Sequence, residues 1–335
     1  MNKQQLLIDP ATSYAIVPWM SPVDPQADLA MHGGKYPLES WFVVANLTSG
    51  DQKLGFQIHV LVMDARVGEP MVWVNTSFVN QTTGFYRAQE DIYPLSAIEI
   101  SSDNLDIRTP DFILKGDLDK MQVRGSIPGV SVDVTVKRTT AVLHTFATGH
   151  FQWLDVEQFD YALPNMETEG TIEIEGESFA VSGPSWFDRQ YGPLPGFFKD
   201  GGPKDSMKWL WMNLQLSNGE YFSLIETTEF HEKRLTIFAT GINDEGAHLL
   251  ARVNPIEKLD YWKSPVTGQN YATRFKIQIP SLDARFEVTC TPKEQEIVSK
   301  LGGLNKYEGA ADVTGTYRGE PVTGVTYVEM AGHWG

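Results

Sequence analysis

An alternation of apolar and polar residues runs through most of this chain and constrains its fold more than any other feature. Short runs rich in Val, Ile, Thr, Phe, Tyr and Trp are separated by turn residues, a pattern typical of β-strands with one buried face. Successive strands joined by short turns favour an all-β barrel or sandwich. A helix is predicted only at Pro292–Leu301, because Gly302 and Gly303 follow it as a stop signal. The predicted strands are Trp41–Asn46, Lys53–Met63, Met71–Val79, Asp111–Leu118, Met121–Ile127, Val130–Lys137, Lys208–Leu216, Glu220–Thr228, Arg234–Thr240, Arg274–Ile279, Ala284–Thr291, Tyr307–Tyr317 and Glu320–Met330.

The length of 335 residues indicates two domains, because single hydrophobic cores seldom serve more than about 250 to 300 residues. An internal similarity helps to place them: Gly170-Thr171…Gly176-Glu177…Gly183 resembles Gly315-Thr316…Gly319-Glu320…Gly324. Each motif is typical of the closing hairpin of a barrel, although two unrelated hairpins can resemble each other by chance. On this interpretation residues 1–195 form the first domain and residues 196–335 the second, linked by the Gly/Pro-rich stretch Gly192–Pro203.

The charge of the chain argues against several classes of partner. There are 43 acidic and 27 basic residues, and the formal net charge is −16. Such a charge repels phosphate backbones and anionic lipid surfaces, so nucleic acid is not an expected partner. No apolar run reaches the length of about 18 residues that a membrane helix needs, and the first residues lack the apolar stretch of a signal peptide. We therefore predict a cytoplasmic protein without membrane insertion, in which the single cysteine, Cys290, stays reduced; a homo-oligomer is left open.

Motifs for common cofactors are absent from the sequence. There is no Gly-x-x-x-x-Gly-Lys phosphate loop, no Gly-x-Gly-x-x-Gly between a strand and a helix, and no His-Glu-x-x-His zinc motif. The seven histidines are scattered along the chain, which argues against a histidine metal site. We expect no cofactor and no bound metal.

The segment Val181–Gly192 is the strongest candidate for chemistry, because it holds three aromatic residues, a carboxylate and a guanidinium in one predicted strand. Beside an indole, the carboxyl group of Asp188 is expected to lose solvent, which raises its pKa and keeps a neutral acid near pH 7. Such an acid can protonate an alkene or a carbonyl. The alternative is an Asp188–Arg189 ion pair that ties the two domains together. Alternation divides the side chains between two faces: Trp186, Asp188 and Gln190 on one, Phe187, Arg189 and Tyr191 on the other.

Polar and aromatic side chains also share strand faces elsewhere, as a ligand pocket requires. Gln57 and His59 share one face, Trp73 and Asn75 a second, and Trp209, Trp211 and Asn213 a third. The alternative is that these faces point outward and the intervening apolar residues form the core. We expect the Trp209/Trp211 face to line the pocket, since two adjacent exposed tryptophans make a sticky surface. For His59 the outward position is slightly favoured.

Several segments together resemble the carotenoid 1,2-hydratase/AttH-like family. The most specific is Trp186-Phe187-Asp188-Arg189-Gln190-Tyr191-Gly192. Weaker similarity near the start covers Glu39-Ser40-Trp41 and Leu54-Gly55-Phe56-Gln57. Further segments with this resemblance are Glu169-Gly170-Thr171, Trp209–Leu216, Tyr307–Thr316 and Tyr327–Gly332.

The resemblance implies two tandem lipocalin-like antiparallel β-barrels. It also implies cofactor-free chemistry on bulky apolar substrates, since characterised members include hydratases of carotenoids and of a prenylated isoflavonoid, and fungal enzymes that promote Diels–Alder ring closure. The family aspartate matched by Asp188 is implied to be an acid–base residue. The chain departs from the family where members often carry a histidine in the third strand, because Asn75 and Asn80 occupy that region.

Our leading hypothesis is a cofactor-independent lyase or isomerase, a hydratase or cyclase that acts on an apolar isoprenoid, polyketide or phenolic molecule. The predicted catalytic residues are Asp188, Trp186 and His59. The alternative is a non-catalytic carrier of a hydrophobic ligand, and a third possibility is a pocket that guides ring closure by shape alone. The pocket is expected inside or between the barrels, and its predicted substrate-binding residues are Trp41, Gln57, Trp73, Asn75, Arg189, Tyr191, Trp209, Trp211 and Asn213.

Overall fold

Antiparallel strands dominate the structure, a computed structural model that describes residues 14–16, 21–64, 68–153, 156–195, 207–229, 233–243, 245–300 and 305–335. The described helical elements are α1 (Pro25–Asp28) and 3₁₀ turns at Leu95–Ala97, Thr145–Ala147 and Pro280–Leu282. None of these elements has the length and apolar character of a membrane-spanning helix. In chain order, the strands of the described residues are β1 (Tyr14–Ile16), β2 (Leu38–Ser49), β3 (Gln52–Met63), β4 (Met71–Asn80), β5 (Phe85–Pro94), β6 (Glu99–Ile100), β7 (Leu105–Arg108), β8 (Phe112–Gly116), β9 (Lys120–Ile127), β10 (Val130–Arg138), β11 (Leu143–His144), β12 (His150–Trp153), β13 (Val156–Ile174), β14 (Glu177–Gly192), β15 (Met207–Leu216), β16 (Glu220–Glu229), β17 (Arg234–Asn243), β18 (His248–Arg252), β19 (Glu257–Lys263), β20 (Asn270–Ile279), β21 (Ala284–Cys290), β22 (Glu296–Ile297), β23 (Lys306–Tyr317) and β24 (Glu320–Gly332).

The strands form two antiparallel sheets. The first has the order β5-β4-β3-β2-β14-β13-β10-β9-β8-β7-β6, with β12 added beside β13. The second has the order β1-β18-β17-β16-β15-β24-β23-β21-β20-β19, with β22 added beside β23. The prediction of an all-β protein with two tandem lipocalin-like antiparallel barrels is confirmed.

Two compact units correspond to the two sheets. One contains residues 22–142 and continues from residue 149, and the other holds residues 143–148 together with the C-terminal part of the chain. Hydrogen bonds explain this grouping of residues 143–148: the amide of His144 donates to Nε2 of His248 (3.0 Å), and that of Phe146 donates to Oγ1 of Thr240 (2.9 Å). The expected boundary at residues 195 and 196 adjoins residues 196–206, which lie outside the described residues, so it stays a prediction.

The hairpins β13–β14 and β23–β24 occupy corresponding places, as the internal similarity predicts. Gly170 and Gly315 have φ values of 154° and 159°. A Cβ atom at Gly170 would lie 2.2 Å from the carbonyl oxygen of Asp133, and one at Gly315 would lie 2.0 Å from that of Arg285. Both positions need glycine because the neighbouring strand passes too close for any side chain.

Apolar side chains fill the interiors of the barrels. Phe56, Ile58 and Val60 belong to the first core, and Leu210, Met212 and Leu214 to the second. Within the first core a cavity of only about 10 Å³ is left beside Ile58 and Val60. A cavity of this size holds one water at most, whereas a small-molecule pocket needs about 300 Å³ or more. At this position the interior of the first barrel is therefore packed, and a ligand site inside or between the barrels stays a prediction.

The helix predicted at Pro292–Leu301 is also wrong. Glu296 and Ile297 instead form β22 and pair with β23. The carboxylate of Glu296 accepts hydrogen bonds from the hydroxyl groups of Ser264, Thr267 and Tyr271. These tertiary interactions outweigh the local helix signal.

A buried arginine ties the segment around α1 to the first barrel. The side chain of Arg189 is fully buried, and its guanidinium lies 4.1 Å above the ring of Trp41. Its Nε donates to the carbonyl oxygen of Asp28 (2.8 Å) and its Nη2 to that of Ala30 (2.9 Å). Nη2 also forms an ion pair with Glu39, which is buried as well. Arg189 therefore pairs with Glu39 and with backbone carbonyl groups of the first barrel, in place of the ion pair with Asp188 that the sequence analysis considered.

His32 completes this buried cluster. Its Nδ1 lies 3.0 Å from a carboxylate oxygen of Glu39, and its Nε2 lies 3.0 Å from one of Asp28. Burial disfavours the charged imidazole, but the hydrogen bonds to the two carboxylates outweigh it and raise the pKa of His32. Burial likewise opposes the charged form of Asp28, yet hydrogen bonds with His32 and Tyr191 hold the pKa of Asp28 below its usual range.

Replacing Arg189 by Met is expected to lower the free energy of unfolding by about 3–5 kcal/mol, because Glu39 would stay buried without its guanidinium partner. Urea titration followed by tryptophan fluorescence measures this change. Arg124→Met is the matched control: this side chain is 64% exposed and lies 3.6 Å from Asp133, so its loss should cost less than about 1 kcal/mol. A similarly small loss for Arg189→Met would contradict the structural role.

Candidate functional site

The face of the first sheet that points away from its core carries polar side chains on four adjacent strands. Register places Asp188 on β14 beside Phe42 on β2, Phe42 beside His59 on β3, and His59 beside Asn75 on β4. We call this surface the polar face of the first barrel. Two flanking rows complete it: Trp186, Val44, Gln57 and Ser77 on one side, and Gln190, Ser40, Leu61 and Trp73 on the other.

The carboxyl group of Asp188 has a fixed orientation on this face. The indole Nε1 of Trp186 donates to Oδ1 of Asp188 at 2.8 Å. Trp186 itself is fully buried, whereas Asp188 is half-buried. A rigid indole therefore positions a carboxyl group that solvent or a ligand can still approach. The alternation predicted for β14 is confirmed, since Asp188 and Arg189 lie on opposite faces of the sheet.

His59 lies on the same face, two strands away from Asp188. Two strand spacings of about 4.8 Å separate the backbones of these residues by roughly 10 Å. The ring of Phe42 lies between them and meets the imidazole of His59 edge-on, at 5.0 Å between ring centroids. The hydroxyl of Ser40 is 2.7 Å from Nε2 of His59 and fixes the orientation of the ring. A carboxyl group and an imidazole thus lie on either side of the Phe42 strand, an arrangement that can transfer protons at two points of a small molecule.

Buried polar atoms without hydrogen-bond partners in the protein cluster beside this pair. Gln57 is fully buried, and among the described residues neither its Oε1 nor its Nε2 has a hydrogen-bond partner. Oδ1 of Asn75, Nε1 of Trp73 and both amide atoms of Asn46 are also unpartnered. Such groups cost free energy unless water or a ligand satisfies them. Their concentration on one face is therefore the expected signature of a binding surface for a molecule with oxygen atoms.

Three of the predicted substrate-binding residues lie elsewhere in the first barrel. Trp41, Arg189 and Tyr191 belong to the buried cluster around His32, on the opposite face from Asp188. The hydroxyl of Tyr191 donates to Asp28 at 2.7 Å. Burial raises the pKa of Tyr191, and the hydrogen bond to Asp28 adds to this effect. A direct role of these three residues in substrate binding stays a prediction.

The predicted residues of the second barrel lie together on the face that points away from its core. Nε1 of Trp209 donates to Glu329, and Nε1 of Trp211 donates to Ser223 at 3.1 Å. Oδ1 of Asn213 accepts a hydrogen bond from the backbone amide of Tyr327 at 2.6 Å. We call this surface, with Trp209, Trp211 and Asn213, the polar face of the second barrel.

Sequence reasoning missed two members of the first site. Ser40 orients His59, and the amide of Asn46 is unpartnered and nearly buried. Both residues belong to β2, which reads as an almost continuous apolar strand. The available signal was the alternation itself, because Ser40 and Asn46 share a face with Phe42 and Val44.

The chain is similar to a curated protein and to two solved structures. A curated relative, kievitone hydratase of Fusarium solani subsp. phaseoli, is 26% identical over 208 residues; the match covers 60% of this chain and 57% of that protein. A solved structure of an AttH protein from Nitrosomonas europaea is similar with a TM-score of 0.80 at 19% identity, covering 97% of this chain and 100% of the other. The structure of kievitone hydratase from Nectria haematococca is similar with a TM-score of 0.78 at 20% identity, covering 98% of each chain.

The sequence profile of the AttH-like family matches residues 22–333. This range includes both barrels and every residue of the two polar faces. The chain therefore belongs to the AttH-like family.

Proposed function

We propose that the protein is a hydratase- or cyclase-type enzyme that acts on an apolar small molecule bearing oxygen atoms, with its site on the polar face of the first barrel. The cluster of buried, unpartnered polar atoms beside a carboxyl group held by an indole carries this proposal. Membership of a family with a hydratase among its relatives supports it. The proposed substrate class is an isoprenoid, polyketide or phenolic compound.

Asp188 is the proposed general acid. Its proton adds to one carbon of an alkene, so that the π electrons form the new C–H bond and the other carbon becomes cationic. The ring faces of Trp186 and Phe42 stabilise this positive charge. Water then forms a C–O bond to the cation, and His59 accepts the proton that the water releases. The reaction consumes only the alkene and water, and its reverse is a dehydration.

The amides of Gln57 and Asn75 have a different proposed role. Gln57 offers a donor and an acceptor, and Asn75 an acceptor, to hydroxyl or carbonyl groups of the substrate. These hydrogen bonds fix the alkene relative to Asp188. If a substrate carries its own nucleophilic oxygen there, capture of the cation closes a ring in place of adding water.

Asp188→Asn is expected to lower turnover by about 10²–10⁴-fold, because the amide is nearly isosteric but cannot supply the proton. Affinity should change only a few-fold, and the melting temperature should hardly change since Arg189 pairs with Glu39. Product formation from kievitone or another prenylated phenol, measured by mass spectrometry at saturation, tests this. The control is Asp133→Asn, whose side chain is 54% exposed on the same barrel. Normal turnover per folded molecule in Asp188→Asn would contradict the proposed mechanism. If the wild-type protein binds the ligand and releases it unchanged, the protein is a carrier.

Gln57→Leu separates binding from folding. The side chain is fully buried with two unpartnered atoms, so leucine should leave the melting temperature unchanged or raise it. Affinity for the phenolic ligand should fall by about tenfold, equivalent to one lost hydrogen bond of roughly 1.4 kcal/mol. Tryptophan fluorescence titration gives the affinity and thermal unfolding the stability. Gln122→Leu, on the strand β9, should alter neither. Unchanged affinity in Gln57→Leu would place the ligand elsewhere.

A further inference from the structure

A second group of titratable side chains lies on the polar face of the second barrel. Glu308 on β23 is directly opposite Glu329 on β24, and Glu329 is directly opposite Trp211 on β15. The ammonium group of Lys306 lies 2.9 Å from Oε1 of Glu308 and 4.0 Å from Oε2 of Glu329. Trp209 donates its indole N–H to the carboxylate of Glu329. Two carboxyl groups and one ammonium group thus share a small volume beside two indoles.

The two carboxyl groups differ in exposure. Glu308 is completely buried, while 16% of the Glu329 side chain is exposed. Burial, together with the neighbouring carboxylate of Glu329, raises the pKa of Glu308 well above its usual range, although Lys306 acts in the opposite direction. Two neighbouring carboxyl groups do not readily ionise together, which favours the state in which the pair shares one proton. One proton, one negative charge and Lys306 then leave the group with no net charge.

Buried polar atoms without hydrogen-bond partners among the described residues also lie on this face. Asn213 is fully buried on the same face, and its Oδ1 is engaged by the amide of Tyr327. Within the part of the chain that the structure describes, its Nδ2 has no hydrogen-bond partner, and neither has the hydroxyl of Thr227, which lies opposite Trp209. A donor fixed in this way beside two half-buried indoles suits a carbonyl oxygen on a flat apolar molecule.

We propose that the Glu308–Glu329 pair is a proton-transfer centre of its own, which interconverts keto and enol forms of an apolar carbonyl compound bound against Trp209 and Trp211. Glu329 is the catalytic residue, and Glu308 acts through it as a positioning residue that retains the shared proton. This activity is distinct from alkene protonation by Asp188, and neither depends on the other.

The proposed step balances without a co-reactant. The pair gives its proton to the carbonyl oxygen, and the π electrons of the C=O bond form the new O–H bond. A C–H bond at the α-carbon breaks, its electrons form the C=C bond of the enol, and its proton passes to Glu329. The pair ends with the proton count with which it began, and Lys306 limits the negative charge that develops between the two transfers.

The test uses 2-tetralone, a flat apolar ketone, and follows exchange of its α-hydrogens for deuterium in D₂O by NMR. The full chain should accelerate this exchange over buffer, and Glu329→Gln should lose about 10²–10⁴-fold of that acceleration. Glu320→Gln is the matched control, because this glutamate lies exposed on the turn end of the same strand. No acceleration by the wild-type chain, or equal acceleration by Glu329→Gln, would overturn the proposal.

A pH profile tests the role of Glu308. The charged groups that act on it are Lys306 on its own strand and Glu329 on the neighbouring one, while β15 presents the uncharged Trp209 and Trp211. Without Glu308, the proton has one carboxyl group in place of two, and the like charge that disfavours the doubly ionised pair is removed. In Glu308→Gln the exchange rate should therefore begin to fall at a lower pH than in the wild-type chain. An unmoved profile would mean that Glu308 is merely structural. If Glu308→Gln does not fold, Glu308→Met replaces it; this variant also lacks the carboxyl group, and the same fall of the exchange rate at lower pH is expected.

Discussion

Side chains on β14 point alternately to the two faces of the first sheet, and this alternation separates the buried cluster around Arg189 from the proposed site around Asp188. Arg189 lies on one face, where it binds Glu39 and the carbonyl groups near α1. Asp188, the preceding residue, lies on the other face with Trp186. Because the buried guanidinium is satisfied on its own side, the carboxyl group does not have to serve as its counterion. Two neighbouring charged residues thus have independent tasks.

The polar side chains on the polar face of the first barrel lower the free energy of unfolding. A fully buried glutamine without partners, beside the unpartnered amide of Asn75 and indole of Trp73, costs the folded protein free energy. Apolar residues at these positions would pack more favourably. Locally unfavourable choices of this kind are expected at functional sites. Among the described residues, the small cavity beside Ile58 in the core of the same barrel is lined mainly by apolar side chains.

The sequence predicted the faces of the strands better than their environment. The two-residue period correctly placed Asp188 with Trp186 and grouped Gln57 with His59, since alternation is a local property of the chain. The period could not show which face of β3 would be in the core, because Phe56 and Gln57 each belong to a set of residues that repeats every two positions. The Arg189–Glu39 pair joins two strands that are far apart in sequence, so no local sequence pattern predicts it. The helix predicted near Glu296 failed for the same reason, since its hydroxyl partners come from a distant segment.

We propose that the ligand binds the polar face of the first barrel and not the core on the other side of the sheet. A crystal structure with kievitone or another prenylated phenol bound tests it most directly. We predict a phenolic or carbonyl oxygen within hydrogen-bond distance of the amide of Gln57, and the prenyl group between Asp188 and His59. A ligand found among the core side chains Ile58 and Val60, with the amide of Gln57 still unpartnered, would contradict this account.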